Sequence, residues 1–246
     1  LLINPPAAKP CEPPAGLARL AGALEAHHLP VGVWDANREA LLALLESAPA
    51  AGDHWTRQAW ARSTTDIELL RSAAGYRHFS AYSAAVRRLN RLLAAHSAPA
   101  EVVLSLADYQ HRTWSPLRSG DLLAAAEAPE RSPFYDYFRR ALAARLEAAA
   151  PELIGLSLSY LSQALPAFAL IGLIRCDHPG LPIVIGGGLV TSWMRRPDWR
   201  NPFAGLIDHL IDGPGEIPLL RLAGFHAPAS GSFISYSAAE WPDYPA

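Results

Sequence analysis

The sequence predicts an α/β fold: a Rossmann-like, doubly wound, mainly parallel sheet with a helical insertion. Three observations carry this. Short apolar runs alternate with amphipathic helical stretches from the first residue, the pattern of βα units joined by right-handed crossovers. One run, Pro182-Ile183-Val184-Ile185, ends in Gly186-Gly187-Gly188, as a strand buried on both faces does where it feeds a tight loop. From about residue 53 to 99 the alternation stops and only helical periodicity remains.

Taken in order, Leu1-Leu2-Ile3 reads as a first strand, ending in the proline-stiffened loop Asn4-Pro5-Pro6 to Pro14. Leu17, Leu20, Ala21 and Leu24 then fall on one helical face. Val31 to Trp34 is a second strand, ending at Asp35, and Leu41, Leu42 and Leu45 mark a second helix. In the insertion, Phe79, Tyr82, Val86, Leu89 and Leu93 repeat at alternating spacings of three and four. That spacing predicts one long helix with these residues on its apolar face. Val102 to Leu106 is expected to resume the sheet, with Asp108 to Gly120 as a loop. Phe134, Phe138, Leu142 and Leu146 mark another helix.

Leu153 to Ser159 is then a strand ending in hydroxyls, followed by Tyr160-Leu161-Ser162-Gln163 and a helix that is apolar nearly all round to Cys176. After the glycine strand, Leu206 to Ile211 is the last core strand, ending in Asp212-Gly213-Pro214-Gly215-Glu216, with a helix from Ile217 to about Ala223. Ser232 to Ser235 reads as a short edge strand. Residues 1–235 are thus expected to form one domain, with the insertion at about 53–99, and residues 236–246 to be a linker.

Composition narrows the function. The chain has 246 residues and a formal net charge of −2, which predicts neither a nucleic-acid partner nor a polybasic membrane contact. No apolar run approaches the roughly 20 residues that span a bilayer, and Leu1-Leu2-Ile3 runs straight into Asn4-Pro5-Pro6 without a basic leader, so no signal peptide is expected. The two cysteines, Cys11 and Cys176, fit no zinc spacing, so a cytoplasmic setting is expected.

Four strand ends carry unusual chemistry. They are Asn4-Pro5-Pro6; Ser157 and Ser159 with Tyr160, Leu161 and Gln163; Gly186-Gly187-Gly188; and Asp212, Gly213 and Glu216. Singly, each is explained by a turn or a helix cap. Together they predict one crevice, because ligands of open parallel sheets bind outside the carboxyl ends of the strands. Few charges and several glycines suit a large, flat, largely uncharged ligand.

In this order, the four motifs resemble the N-terminal cobalamin-binding domain of B12-binding radical SAM proteins. The resemblance covers most of the chain, least firmly from Asp53 to Ala98. It implies a corrin on the C-terminal edge of the sheet and a nucleotide tail in a groove beside the Ser and Gly strands. Two departures matter. Many cobalamin domains carry Asp-x-His-x-x-Gly after the first strand; here that loop has no histidine, and none of the nine histidines sits in such a motif. The radical SAM branch often lacks it too. Radical SAM chemistry also needs a Cys-x-x-x-Cys-x-x-Cys set for its 4Fe-4S cluster, and two cysteines cannot supply one. The resemblance therefore implies a chain that binds cobalamin without itself catalysing. The cluster, the SAM and a reaction such as methyl transfer would belong to a C-terminal radical SAM domain beyond the linker. Other readings are a flavodoxin-like nucleotide- or flavin-binding module and a ligand-free interaction domain. Against the flavodoxin-like module, no Gly-x-Gly-x-x-Gly follows the first strand.

Overall fold

A computed structural model describes residues 1–49 and 52–225. The expected edge strand at 232–235 and the linker at 236–246 lie outside the described residues.

The chain opens as β1 (Leu2–Ile3), α1 (Ala15–Ala26), β2 (Val33–Trp34) and α2 (Ala36–Glu46). Four helices follow: α3 (His54–Ala61), α4 (Ser63–Arg71), α5 (Ala73–Arg77) and α6 (Phe79–Ser97). Then come β3 (Val102–Leu104), β4 (Tyr109–His111), α7 (Ser119–Glu127) and α8 (Tyr135–Ala149). The chain continues through β5 (Ile154–Ser157), α9 (Leu161–Asp177), β6 (Ile183–Gly186), α10 (Gly188–Met194), β7 (His209–Leu210) and α11 (Glu216–Leu222).

Five strands form one sheet in the order β2-β1-β5-β6-β7, every pair parallel. This is a doubly wound α/β fold. The winding reverses between β1 and β5, where Leu2 and Ile3 register with Gly155 and Leu156. At such a switch point the flanking loops diverge to opposite faces and leave a crevice. The two faces have separate cores. On one, Leu17, Ala21 and Leu24 of α1 meet Leu219 and Leu220 of α11 over Leu2 and Val184. On the other, α2 and α7 to α10 bury a larger cluster that includes Trp34, Phe138, Phe168 and Val190.

The segment expected to resume the sheet does not join it. β3 pairs antiparallel with β4, Val102 opposite His111 and Leu104 opposite Tyr109, in a separate ribbon. The place beside β1 is already taken by β5, and Val103 is 52% exposed. A strand buried on alternate residues only suits a ribbon lying on helices. The expected loop from Asp108 therefore contains a strand. The long helix of the insertion forms as expected, but its apolar face begins later. Phe79 is 81% exposed, and burial falls on Ala85, Leu89, Leu92 and Leu93. Helix α6 packs on α2, α3, α4 and β3.

Helix α9 is buried on every side from Gln163 to Ile174, with α7 and α8 packed over it. Its closest approach to α7 is at Gly172, where a Cβ would lie 1.9 Å from the Ala126 carbonyl oxygen. At the start of the insertion, Asp53 caps α3. Its carboxylate accepts from Thr56 N and Oγ1, both at 2.8 Å, and from Arg91 at 2.6 Å. The Thr56 hydrogen bonds, and then Arg91, hold this carboxyl at about 2.

Gly172→Ala forces α7 from α9 and should cost about 1–3 kcal/mol, read as a lower midpoint in urea denaturation. The Asp53 cap contributes stability above the unfolded carboxyl value of 3.8 that is lost as pH falls through about 2. Acid unfolding of Asp53→Asn should lack this part of the pH dependence.

Candidate functional site

The loops that leave β1, β2 and β5 are tied together by side-chain amides. Gln163, the third residue of α9, is 1% exposed. Its Oε1 accepts from the Ser159 and Tyr160 backbone N–H groups, at 2.9 and 3.1 Å. A glutamine at this helical position commonly reaches back to the amide before the helix. Here it also reaches across the switch point. Its Nε2 donates to Asn4 Oδ1 at 3.1 Å and to the Pro5 carbonyl at 2.8 Å. Asn4 Nδ2 in turn donates to Asp35 Oδ1 at 2.9 Å. Asn37 completes the tie, exchanging hydrogen bonds with Ala8 N and O at 2.9 and 3.0 Å.

Two cavities open around this edge. The first, about 230 Å³, lies between the sheet and helices α1 and α11. Leu17, Leu20, Leu156, Val184 and Ile211 make it largely apolar, and Gly16, Gly155, Gly186 and Gly187 bring backbone into its walls. The second, about 280 Å³, lies over the loop after β1 and is lined by Asn4, Lys9, Glu12, Ser159, Tyr160 and Gln163. Gly16, Leu17 and Ser157 line both. Ser157 therefore stands where the groove under α1 meets the open edge.

The expected site residues divide accordingly. Ser157, Gly186, Gly187, Gly213 and Glu216 line the first cavity; Asn4, Ser157, Ser159, Tyr160 and Gln163 line the second. Pro5, Pro6, Leu161, Gly188 and Asp212 line neither. Pro5 and Pro6 are buried. Asp212 accepts from Arg195 at 2.9 Å on the surface. Glu216 pairs with Arg19, so the charge at the mouth of the groove is balanced.

The glycines have different reasons. Gly187 has φ of 102°, and a Cβ there would meet the Leu158 carbonyl oxygen at 2.4 Å, so the turn itself requires glycine. At Gly155 a Cβ would press on Leu2 at 2.8 Å. Gly16 is different: a Cβ would stand 3.8 Å from Ser157 Oγ, in the passage between the cavities. The sequence did not place Gly16, Leu17, Arg19 or Asn37 at the site. The Asp35-x-Asn37 spacing directly after a strand was the available signal. Comparisons of the chain with protein-family models, curated proteins and solved structures found no match.

Gln163→Leu keeps the volume and removes all four hydrogen bonds. It leaves buried partners unsatisfied at about 1–3 kcal/mol each, so a stability loss of at least about 2 kcal/mol should appear in denaturant titration.

Proposed function

We propose that this chain binds cobalamin, with the corrin over the carboxyl ends of β1, β5 and β6 and the nucleotide tail in the groove between α1, α11 and the sheet. The observation that carries the reading is the junction at Ser157. A narrow, apolar, glycine-walled groove runs from it under α1, and an open polar shelf spreads from it over the loop after β1. A ligand with a broad head and a flat apolar tail matches both. The residues fit such a group. Ser157 and Ser159 offer hydroxyls to its amide edge, Tyr160, half exposed, offers a ring edge, and Gly16 leaves the entrance unobstructed. Neither cavity is lined by a histidine among the described residues. The chain therefore offers no imidazole to the metal from these walls.

When bound, the cofactor supplies a cobalt centre able to carry a methyl group. The chain's own part is to hold it and to keep the tail out of water. Cys11 and Cys176 are exposed and widely separated in sequence, and two thiolates do not hold a 4Fe-4S cluster. Catalysis with SAM is thus proposed for a radical SAM domain acting with this one.

A flavin is the second reading, because the strand order is the one in which flavodoxin-like proteins hold flavin mononucleotide at the switch point. The loop after β1 weighs against it. Pro5, Pro6, Pro10, Pro13 and Pro14 lack the N–H groups that a phosphate needs.

Titration with hydroxocobalamin, followed by visible absorption, should saturate. The bound spectrum should lack the signature of a protein nitrogen on cobalt. Ser157→Trp fills the junction and should weaken binding at least tenfold while leaving the fold intact by circular dichroism. Saturable binding of flavin mononucleotide in place of hydroxocobalamin would overturn the proposal in favour of the second reading.

A further inference from the structure

A third cavity, about 390 Å³, opens on the face of the sheet opposite the groove. Its lining comes from residues 116–122, leading into α7, and from residues 193–203, at the end of α10 and in the loop after it. It reaches down to the core, since Leu122 and Phe203 in its lining are 2% and 1% exposed. Phe203 is fixed there against Phe168 of α9, with ring centroids 4.7 Å apart. Trp193 and Trp199 pack on Phe203 at 5.9 and 6.3 Å, tilted by 53° and 55°. Both indoles stay half-buried, so two large rings flank a buried third. The loop that carries them is held in place. Pro197 and Pro202 restrict its backbone. Trp199 N donates to the Arg196 carbonyl at 3.0 Å, and Leu206 and Ile207 N donate to the Phe203 carbonyl at 3.1 and 3.0 Å. A preformed, concave, aromatic-walled space with a few polar groups is the common form of a small-molecule site.

Two indole N–H groups and two guanidinium groups supply the polar chemistry. A buried indole usually finds an acceptor, as Trp34 Nε1 does on Tyr137 at 3.2 Å. No described residue accepts from Trp193 or Trp199 Nε1. Among the described residues the one sealed side-chain polar atom without a partner is His111 Nε2, far from this lining. Both indole nitrogens are therefore open to an incoming acceptor. Arg196 and Arg200 also line the cavity, exposed, and form no ion pair with a described residue. Their neighbour Arg195 is the one that pairs, with Asp212. Asp198 is the one carboxylate in the lining, so the cations outnumber it two to one.

We propose that this cavity binds a small aromatic carboxylate. Its ring lies among Trp193, Trp199 and Phe203, whose tilted faces and edges suit another ring. Its carboxylate lies at the exposed margin, where the planar donors of Arg196 and Arg200 match two oxygens. The rings disfavour a bare oxyanion, and the two cations disfavour a positively charged ligand. The site does not depend on which ligand fills the groove at Ser157. It shares no lining residue with the groove or the shelf.

The test is an NMR titration of the full chain with phenylacetate, with acetate as the probe lacking the ring and benzyl alcohol as the probe lacking the charge. It is read at the indole N–H signals, those of Trp193 and Trp199 being assigned with Trp193→Phe and Trp199→Phe. Phenylacetate should shift both signals saturably, bind about tenfold more tightly than either control, and leave the signal of buried Trp34 in place. Arg196→Gln with Arg200→Gln, at two exposed side chains, should weaken phenylacetate about tenfold. The same variant should leave benzyl alcohol binding and hydroxocobalamin titration unchanged. No saturable shift at the two indoles, equal affinity for phenylacetate and either control, or undiminished phenylacetate affinity in the folded double variant would overturn the proposal. Each of these leaves the reading of the Ser157 groove standing.

Discussion

Gln163 is the constraint on which the rest of the edge depends. The carboxyl ends of parallel strands leave loops that diverge, and nothing in the sheet ladder fixes them. One buried amide here meets the loop after β1 with its donors and the turn after β5 with its acceptor. Asn4 extends the tie to Asp35 at the end of β2. The polar groups most able to bind a ligand in these loops are therefore occupied in holding one another. What remains for a ligand is Ser157, Ser159, an exposed tyrosine and backbone walls.

The two faces of the sheet share the work unequally. The segment after the insertion supplies α7 and α8, which cover α9 and bury it from Gln163 to Ile174, with contacts close enough to require Gly172. That face is closed by a large core. Among the described residues the other face has only α1 and α11, with a much smaller core. Two helices do not fill the surface above Gly155 and Gly186, and the groove is the space they leave. The insertion, through Ala59, Leu89, Leu92 and Leu93, joins α7 to α10 in the core on the face opposite the groove.

The strand ends were legible in the sequence because β-branched runs stopping at glycine, serine or proline mark buried strands feeding special loops. The α/β class and the winding followed from the same alternation. Three things were not legible. β4 is three residues inside a polar stretch, too short to show a period of two, so β3 had no visible partner outside the main sheet. Phe79 sits in register with the buried face of α6, but periodicity does not reveal where the neighbouring helices end. Asp212 and Gln163 read alike as polar residues near strand ends. Only tertiary distances show that Arg195 takes the first to the surface and that Asn4 and Pro5 consume the second.

The central claim is that one ligand spans the shelf and the groove through the junction at Ser157. Hydrogen–deuterium exchange with and without hydroxocobalamin tests it most directly. The account predicts added protection at the start of α1 around Gly16, at residues 157–160 and at residues 213–216, with little change in α3 to α6. Protection confined to the insertion, or none along the groove at saturating cofactor, would contradict it.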